Sequence, residues 1–281
     1  MRGLVANQRS QAPPVSPLRR LTWFVLSIAA VSLLLSVVAR VWIDLSWWKV
    51  FRRCVSVAAA LTLWVFVRHV EGQSLRSLGL GSWKQGKWHV AQGVGLGLVA
   101  VLLMMGVYLA MGACRIAVDP DLQRVVRSLL GFIPAAGLVA LLEELVFRGY
   151  VLQRLSAYSQ PLAVVGSSAA YAVVHLKTTF VWPNTGFELV GLFILGCVLA
   201  QSVRRTKQLY LAMGLHAALA YCAVVNKRLV AFTTPSLQWL VGTNRLVNGV
   251  MAWLVLLGVG WVVAHWGSSR TQLTRPRSPI E

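Results

Sequence analysis

The segment LVALLEELVFRGYVLQRL (138–155) places two adjacent carboxylates, Glu143 and Glu144, inside an apolar run, with Arg148 shortly after them. A charged side chain at the centre of a bilayer costs at least about 2.5–3.5 kcal/mol, so such residues indicate a function by default. Glu144 and Arg148 stand at i and i+4 on one helical face and can pair, which keeps Glu144 ionised. Glu143 points about 100° away. It has no obvious partner on its own helix and can therefore accept a proton.

Two of the five histidines lie inside apolar runs, His175 in SSAAYAVVHL and His216 in LYLAMGLHAALAY. A lone helix histidine is more often a hydrogen-bonded bundle residue than a catalyst, but depth favours a site. Glu144 and His175 lie on opposite sides of a turn near Gln160, and each is about 23 Å from it at ~1.5 Å per residue. Counted from basic residues at the same interface, His216 lies about 15 Å deep, level with Glu144.

Two acids and two imidazoles in one layer are sufficient for hydrolysis of an amide inside the bilayer. A carboxylate can act as general base towards water, and an imidazole can share the proton or orient the water. A second imidazole can donate a hydrogen bond to the oxyanion that forms. Serine-based proteolysis has little support, because Gly-x-Ser-x-Gly and a serine with a matching base are both absent.

Zinc is the alternative source of an activated water molecule. Two histidines and one glutamate form a known catalytic zinc set, which here would be Glu143, His175 and His216. The sequence contains no HExxH or similar close pair, although zinc sites can be assembled from distant helices. We therefore expect no cofactor, with zinc as the alternative.

The composition predicts that membrane-spanning helices carry these residues. The chain has 281 residues, of which 57% are hydrophobic and 12% charged, and its mean hydropathy is +0.66. A soluble domain is about a quarter charged. The formal net charge is +19, but the basic residues are dispersed between apolar runs and form no nucleic-acid motif, so we expect no nucleic-acid partner. Basic loops that flank membrane spans explain the charge.

Eight apolar runs approach the length of about 20 residues that a membrane-spanning helix needs. The sequence therefore predicts an all-α fold, a polytopic membrane helix bundle with about eight transmembrane helices. The candidate spans are residues 21–43, 54–70, 89–113, 129–154, 161–178, 187–203, 208–226 and 246–266. With the N-terminus inside, sixteen of the twenty-seven Lys and Arg residues fall in inner segments, which predicts that both termini are cytoplasmic.

At these residues the chain resembles the CPBP family, the CAAX-protease and bacteriocin-processing group of membrane peptidases that is also called the abortive-infection family. That family carries EExxxR, a later FxxxH, and a still later HxxxN or HxxxD, on separate membrane helices. EELVFR (143–148) matches the first motif fully, and YAVVH (171–175) matches the second with tyrosine for phenylalanine. The third is half present, because Ala220 follows His216 where asparagine or aspartate is expected.

The resemblance implies an intramembrane glutamic-type endopeptidase with a cavity open to membrane and cytoplasm. In it, Glu143 and His175 activate the water and His216 binds the oxyanion. The substrate is a membrane-anchored peptide or protein in the lipid bilayer, and family members process prenylated C-terminal boxes, bacteriocin leaders or sorting tags. Loss of one oxyanion donor can cost about 10²–10³ in rate. The hydroxyl of Tyr221, one position after Ala220, is a conceivable substitute.

Two other functions stay open. A non-catalytic relative, acting in bacteriocin immunity or as a membrane scaffold, is favoured by Ala220. A proton-coupled transporter is the other, because buried Glu and His also relay protons, although no inverted repeat is apparent.

The resemblance covers about residues 129–226, and it sets the expected organisation of a multi-pass protein of the bacterial inner (cell) membrane. The expected parts are a cytoplasmic N-terminal tail (1–20), N-terminal transmembrane helices (21–128), a CPBP-like catalytic core (129–226), a C-terminal transmembrane helix (227–266) and a disordered tail (267–281).

Overall fold

The computed structural model describes residues 16–176, 180–233, 237–243 and 246–266. Within these ranges the chain is almost entirely helical, so the predicted all-α fold is confirmed. The helices are α1 (Pro17–Arg40), α2 (Trp47–Val65), α3 (Trp83–Ala110), α4 (Leu122–Glu144), α5 (Leu152–Leu155), α6 (Gln160–Val174), α7 (Asn184–Thr206), α8 (Tyr210–Leu229), α9 (Gln238–Val241) and α10 (Val250–Ala264). Two π-helical turns (Phe66–Val70 and Leu145–Val151) and a 3₁₀ turn (Leu75–Leu78) complete the helical elements.

Eight of these helices coincide with the eight predicted spans. Five helical stretches are long and apolar enough to cross a membrane, and α6 and α10 are shorter apolar helices. The five are Pro17–Arg40, Trp47–Val70, Leu75–Ala110, Leu122–Leu155 and Asn184–Thr206. Helix α8 is more polar, since it carries His216 and Asn226, and both of these side chains are buried. The protein is therefore an integral membrane protein with a polytopic helix bundle.

The boundaries of several predicted spans need correction, and α4 and α6 show the physical reasons. Helix α4 begins seven residues earlier than the predicted 129, because the Asp121 side chain caps its N-terminus and accepts the Arg124 N–H over 2.9 Å. The span predicted over 161–178 is shorter, because α6 ends at Val174 and the N–H of His175 turns back to a carbonyl three residues before it. The predicted disordered tail (267–281) lies outside the described residues.

The chain divides into two compact units, Met1–Ala58 and Ala59–Glu281. In the first unit, α1 begins in the way its sequence favours, with Ser16 as N-cap and Pro17 in the first turn. The second unit contains every residue of the candidate site. In it, α8 packs against α3 and α4, and α6 packs against α7.

Glycines allow α3 and α8 to approach closely along their length. A Cβ added to Gly93 would lie 2.3 Å from the Leu211 carbonyl oxygen, and one added to Gly214 would lie 2.2 Å from the Val90 carbonyl oxygen. A backbone-to-backbone contact this close needs residues without a side chain, as at other interfaces between membrane helices. The seam therefore fixes the part of α8 on which His216 lies.

A small sheet joins the C-terminal ends of α3 and α8, beyond the glycine contacts between these two helices. Strands β1 (Cys114–Ile116) and β2 (Val230–Phe232) pair antiparallel, with Cys114 opposite Phe232. Close to the sheet, Arg228 donates to Asp119 over 3.0 Å. The backbone N–H of Asp121 and this guanidinium together lower the pKa of Asp119 below its ordinary value.

Candidate active site

The two glutamates lie at the end of α4, where the backbone changes from α-helix to the π-helical turn Leu145–Val151. Glu144 and Arg148 are both completely buried, and Arg148 Nη1 donates to Glu144 Oε1 over 3.0 Å. The ion pair predicted from their spacing is thus present. The second guanidinium nitrogen donates to the Gly196 carbonyl oxygen over 3.2 Å. Arg148 therefore anchors the acidic end of α4 to α7.

His216 lies on α8, between the glycine seam and α4. Its Nδ1 is 2.8 Å from Glu144 Oε1, and its Nε2 is 3.7 Å from Glu143 Oε2. The side chain is only 6% exposed. One imidazole thus lies between the two adjacent carboxylates, with a different ring nitrogen towards each.

His175 reaches the same carboxylate from the end of α6. Its Nε2 is 3.7 Å from Glu143 Oε2, and its Nδ1 is 2.8 Å from the Tyr171 carbonyl oxygen, one helical turn earlier. Its side chain is 31% exposed and that of Glu143 is 27% exposed, whereas Glu144 is inaccessible. The accessible side of the site is therefore the side of Glu143 and His175.

The hydrogen bonds fix which imidazole nitrogens carry protons. A backbone carbonyl only accepts, so His175 carries a proton on Nδ1. Glu144 already accepts from Arg148 and is ionised, so His216 also carries a proton on Nδ1. In the neutral imidazoles, both Nε2 lone pairs then face Glu143 Oε2, a buried oxygen that accepts no hydrogen bond from any described residue.

Three acceptors converge on one small volume at Glu143, His175 and His216. Each Nε2 is too far from Oε2 for a direct hydrogen bond, so these acceptors need a bridging donor. A water molecule can give one proton to each of two such acceptors, and it is also the nucleophile of a hydrolytic reaction.

The same three side chains are the predicted zinc ligands. Zinc bonds of 2.0–2.1 Å in a tetrahedral set place ligand atoms about 3.3 Å apart, and the two measured separations are 3.7 Å. Among the residues that the structure describes, no three His, Cys, Asp or Glu side chains are arranged to hold a metal ion. Glu143, His175 and His216 thus converge at a spacing slightly wider than that of a bound zinc set.

Tyr171 contributes more to the site than its place in the second motif indicates. Its ring lies 4.7 Å from the His175 ring and 5.9 Å, edge to face, from the His216 ring, measured between centroids. The Arg148 guanidinium carbon lies 4.5 Å from the same ring. A buried cation over an aromatic face is stabilised by it. Tyr171 therefore contacts Arg148 and both imidazoles through a single ring.

Tyr221 does not replace the polar residue that the third motif lacks at position 220. Its hydroxyl donates to the Leu129 carbonyl oxygen over 3.0 Å. Leu129 precedes Glu143 by fourteen residues on α4, or about 21 Å of helix. Ala220 lies one turn after His216 and is half-buried, so this position offers no donor to the site.

Comparison with known proteins gives a family match for the segment that contains the site. Residues 125–222 match the family described as Rce1-like, type II CAAX prenyl endopeptidase Rce1-like, which is 98 of the 281 residues. The matched segment contains the first two motifs, the half-present third motif and every residue of the site. It confirms the resemblance to the CPBP and CAAX-protease family. No curated protein matches the chain.

Proposed function

We propose that the chain is an intramembrane endopeptidase of the glutamic type, because residues 125–222 match the Rce1-like family of type II CAAX prenyl endopeptidases. Its substrate is a membrane-associated protein or peptide. The observation that carries this proposal is the convergence of His175 Nε2 and His216 Nε2 on Glu143 Oε2, at 3.7 Å each. Glu143 and His175 also form the accessible side of the site, from which water can approach.

In the proposed reaction, Glu143 removes a proton from this water as the water oxygen attacks the scissile carbonyl carbon. His175 holds the water, because its Nδ1–H is committed to the Tyr171 carbonyl and its Nε2 accepts. The protonated Glu143 then gives its proton to the leaving amine when the carbon–nitrogen bond breaks. The proton that Glu143 took from the water thus leaves with the amine, and Glu143 returns to its carboxylate form.

His216 stabilises the oxyanion only when both of its ring nitrogens carry protons. Its Nδ1–H already donates to Glu144, so the donor to the substrate must be Nε2–H of the imidazolium. Glu144, held by Arg148, accepts this Nδ1–H and orients the ring. We therefore assign Glu144 and Arg148 to positioning His216, and Glu143 to proton transfer.

A comparison of membrane-protein N-termini tests this proposal. Cells with the wild-type chain and cells with Glu143→Ala are compared at equal levels of inserted protein. The expected result is a set of new N-termini that only the wild-type chain produces. Identical termini in both would contradict the proposal.

A chelator titration tests the metal-free form of the mechanism. The purified protein is treated with a zinc chelator and then with added zinc. We expect cleavage to persist with chelator. Loss of activity that zinc restores would show that Glu143, His175 and His216 rearrange around a metal ion.

Ala220 supports a second candidate, a non-catalytic relative that acts in bacteriocin immunity or as a scaffold for membrane partners. One turn after His216, its methyl group offers no hydrogen-bond donor where the third motif has asparagine or aspartate. This candidate predicts that any cellular phenotype survives both Glu143→Ala and Glu143→Gln. The peptidase predicts that both changes abolish it.

A further inference from the structure

Glu71 lies in the connector after α2, yet its side chain is only 1% exposed. Its Oε1 accepts a hydrogen bond from the Tyr150 hydroxyl over 3.0 Å, and its Oε2 pairs with Arg154. The Arg154 guanidinium carbon lies 5.2 Å from the Tyr150 ring. A buried ion pair of this kind often adds little net stability. The role of Glu71 therefore follows from the elements that its ion pair joins.

Tyr150 belongs to the π-helical turn Leu145–Val151, which begins directly after Glu144 and contains Arg148. Glu71 itself follows the other π-helical turn of the described chain, Phe66–Val70, and its N–H donates to Phe66 O over 2.9 Å. The rings of Phe66 and Tyr150 meet edge to face at 6.5 Å. The two π-helical turns thus contact each other through Tyr150.

A further contact holds the connector against this turn. A Cβ added to Gly149 would lie 3.0 Å from Leu78 Cβ and 3.2 Å from the Leu78 carbonyl oxygen. Gly149 lies between Arg148 and Tyr150, so the connector contacts the backbone immediately after the arginine of the site.

A π-helical turn is rare and short, and it often marks a functional site. It contains one residue more than the α-helical turn it replaces, so its conversion to α-helix would rotate everything after it by about 100°. Tyr150 and Arg154 would then leave Glu71. The bonds of Glu71 to these two residues therefore stabilise the π-helical register.

We propose that Glu71 is a positioning residue, which holds the turn Leu145–Val151 in its π-helical register and so keeps Arg148 on Glu144 and Gly196. Through Arg148 and Glu144 it sets the position of His216. The effect on cleavage rests on the proposed function, whereas the effect on the backbone does not.

Hydrogen–deuterium exchange of the purified full-length protein in detergent tests the backbone effect. In Glu71→Gln we expect severalfold faster exchange over residues 145–155 and unchanged exchange over 122–141. Tyr150→Phe, which removes one bond of Glu71 and keeps the ring, should give a smaller increase in the same place. The matched control is Asp119→Asn, which removes the ion pair with Arg228 in the connector between α3 and α4. It should leave the exchange of residues 145–155 unchanged.

Unchanged exchange over 145–155 in Glu71→Gln would overturn the assignment. So would an increase spread evenly over all helices, which would mean that Glu71 serves general stability. In the kinetic measurement, kcat should fall on the order of tenfold or more with KM little changed, because a small displacement of a catalytic group is sufficient for this. An unchanged kcat together with faster exchange over residues 145–155 would also overturn the assignment of Glu71 as a positioning residue. If the wild-type protein cleaves nothing while exchange changes as expected, the proposed function fails and the backbone role of Glu71 stands.

Discussion

His216 donates its Nδ1–H to Glu144 Oε1 over 2.8 Å, in a layer where Glu144 has no exposed surface. This bond determines what each ring nitrogen can do. With Nδ1 committed to an ionised carboxylate, Nε2 faces Glu143, and it becomes a donor only when the ring is protonated. The adjacent acids therefore have different surroundings, because Glu144 pairs with the buried Arg148 and Glu143 lies on the accessible side of the site.

Two substitutions at His216 separate its two nitrogens. In His216→Asn, the amide N–H can replace Nδ1–H towards Glu144, whereas nothing replaces Nε2. In His216→Gln, the longer side chain carries its amide towards Nε2 and the bond to Glu144 is lost. Both should lower the cleavage rate at least about 10²-fold, because the oxyanion donor is altered. Only His216→Gln should lose the roughly 1.5–3 kcal/mol of a hydrogen bond to a charged group.

The check is a rate measurement beside thermal unfolding of the same preparations. Equal stability of the two variants would show that Nδ1 contributes nothing through Glu144. Full activity in His216→Asn would remove Nε2 from the mechanism.

Glu143→Gln should abolish cleavage without lowering stability. General acid–base catalysis contributes about 10²–10⁴ in rate, and an amide cannot take a proton from water. The amide N–H can instead donate towards an Nε2 lone pair, where Glu143 Oε2 accepts nothing from a described residue. The matched control is Glu188→Gln on α7, which should keep its activity. Cleavage at the wild-type rate in Glu143→Gln would exclude Glu143 as the base.

The sequence predicted the convergence of this site better than its detailed contacts. The spacing of Glu144 and Arg148 and the equal depth of His175 and His216 depend only on helical rise and on turn positions. Hydrogen-bonding partners across helices depend on rotation about each helix axis, which one sequence does not reveal. For that reason the hydroxyl of Tyr221, a conceivable donor from its sequence position, lies against Leu129 instead.

Neither the π-helical turn nor the burial of Glu71 could be predicted from the sequence. LVFRGYV carries no signal that separates a π-helical turn from α-helix. Glu71 lies in a polar connector, where an acid is usually exposed. Its side chain is buried because it bonds to Tyr150 and Arg154. Pairing between residues about eighty positions apart follows from tertiary packing.

Arg148→Met should destabilise the protein by about 3–5 kcal/mol, because removal of one partner leaves Glu144 charged and buried. The double variant Glu144→Gln with Arg148→Met should recover much of that loss, since no unpaired charge remains. Thermal or denaturant unfolding in detergent checks both. Neither variant should recover cleavage, because both remove the guanidinium that fixes the side chain of residue 144 beside His216. If the double variant is no more stable than Arg148→Met, then the burial of an unpaired charge is not the cause.

Ala220→Asn should raise the cleavage rate, which is the reverse of the usual effect of a substitution in a site. Position 220 lies one turn after His216 on the same face of α8, and Ala220 is half-buried, so an amide there can reach the oxyanion beside His216 Nε2. One such donor is worth about 10²–10³ in kcat. Tyr221→Phe is the matched control, because its hydroxyl bonds to Leu129 and its loss should leave kcat unchanged. A fall in kcat in Tyr221→Phe, with no rise in Ala220→Asn, would mean that the oxyanion lies on another side of His216.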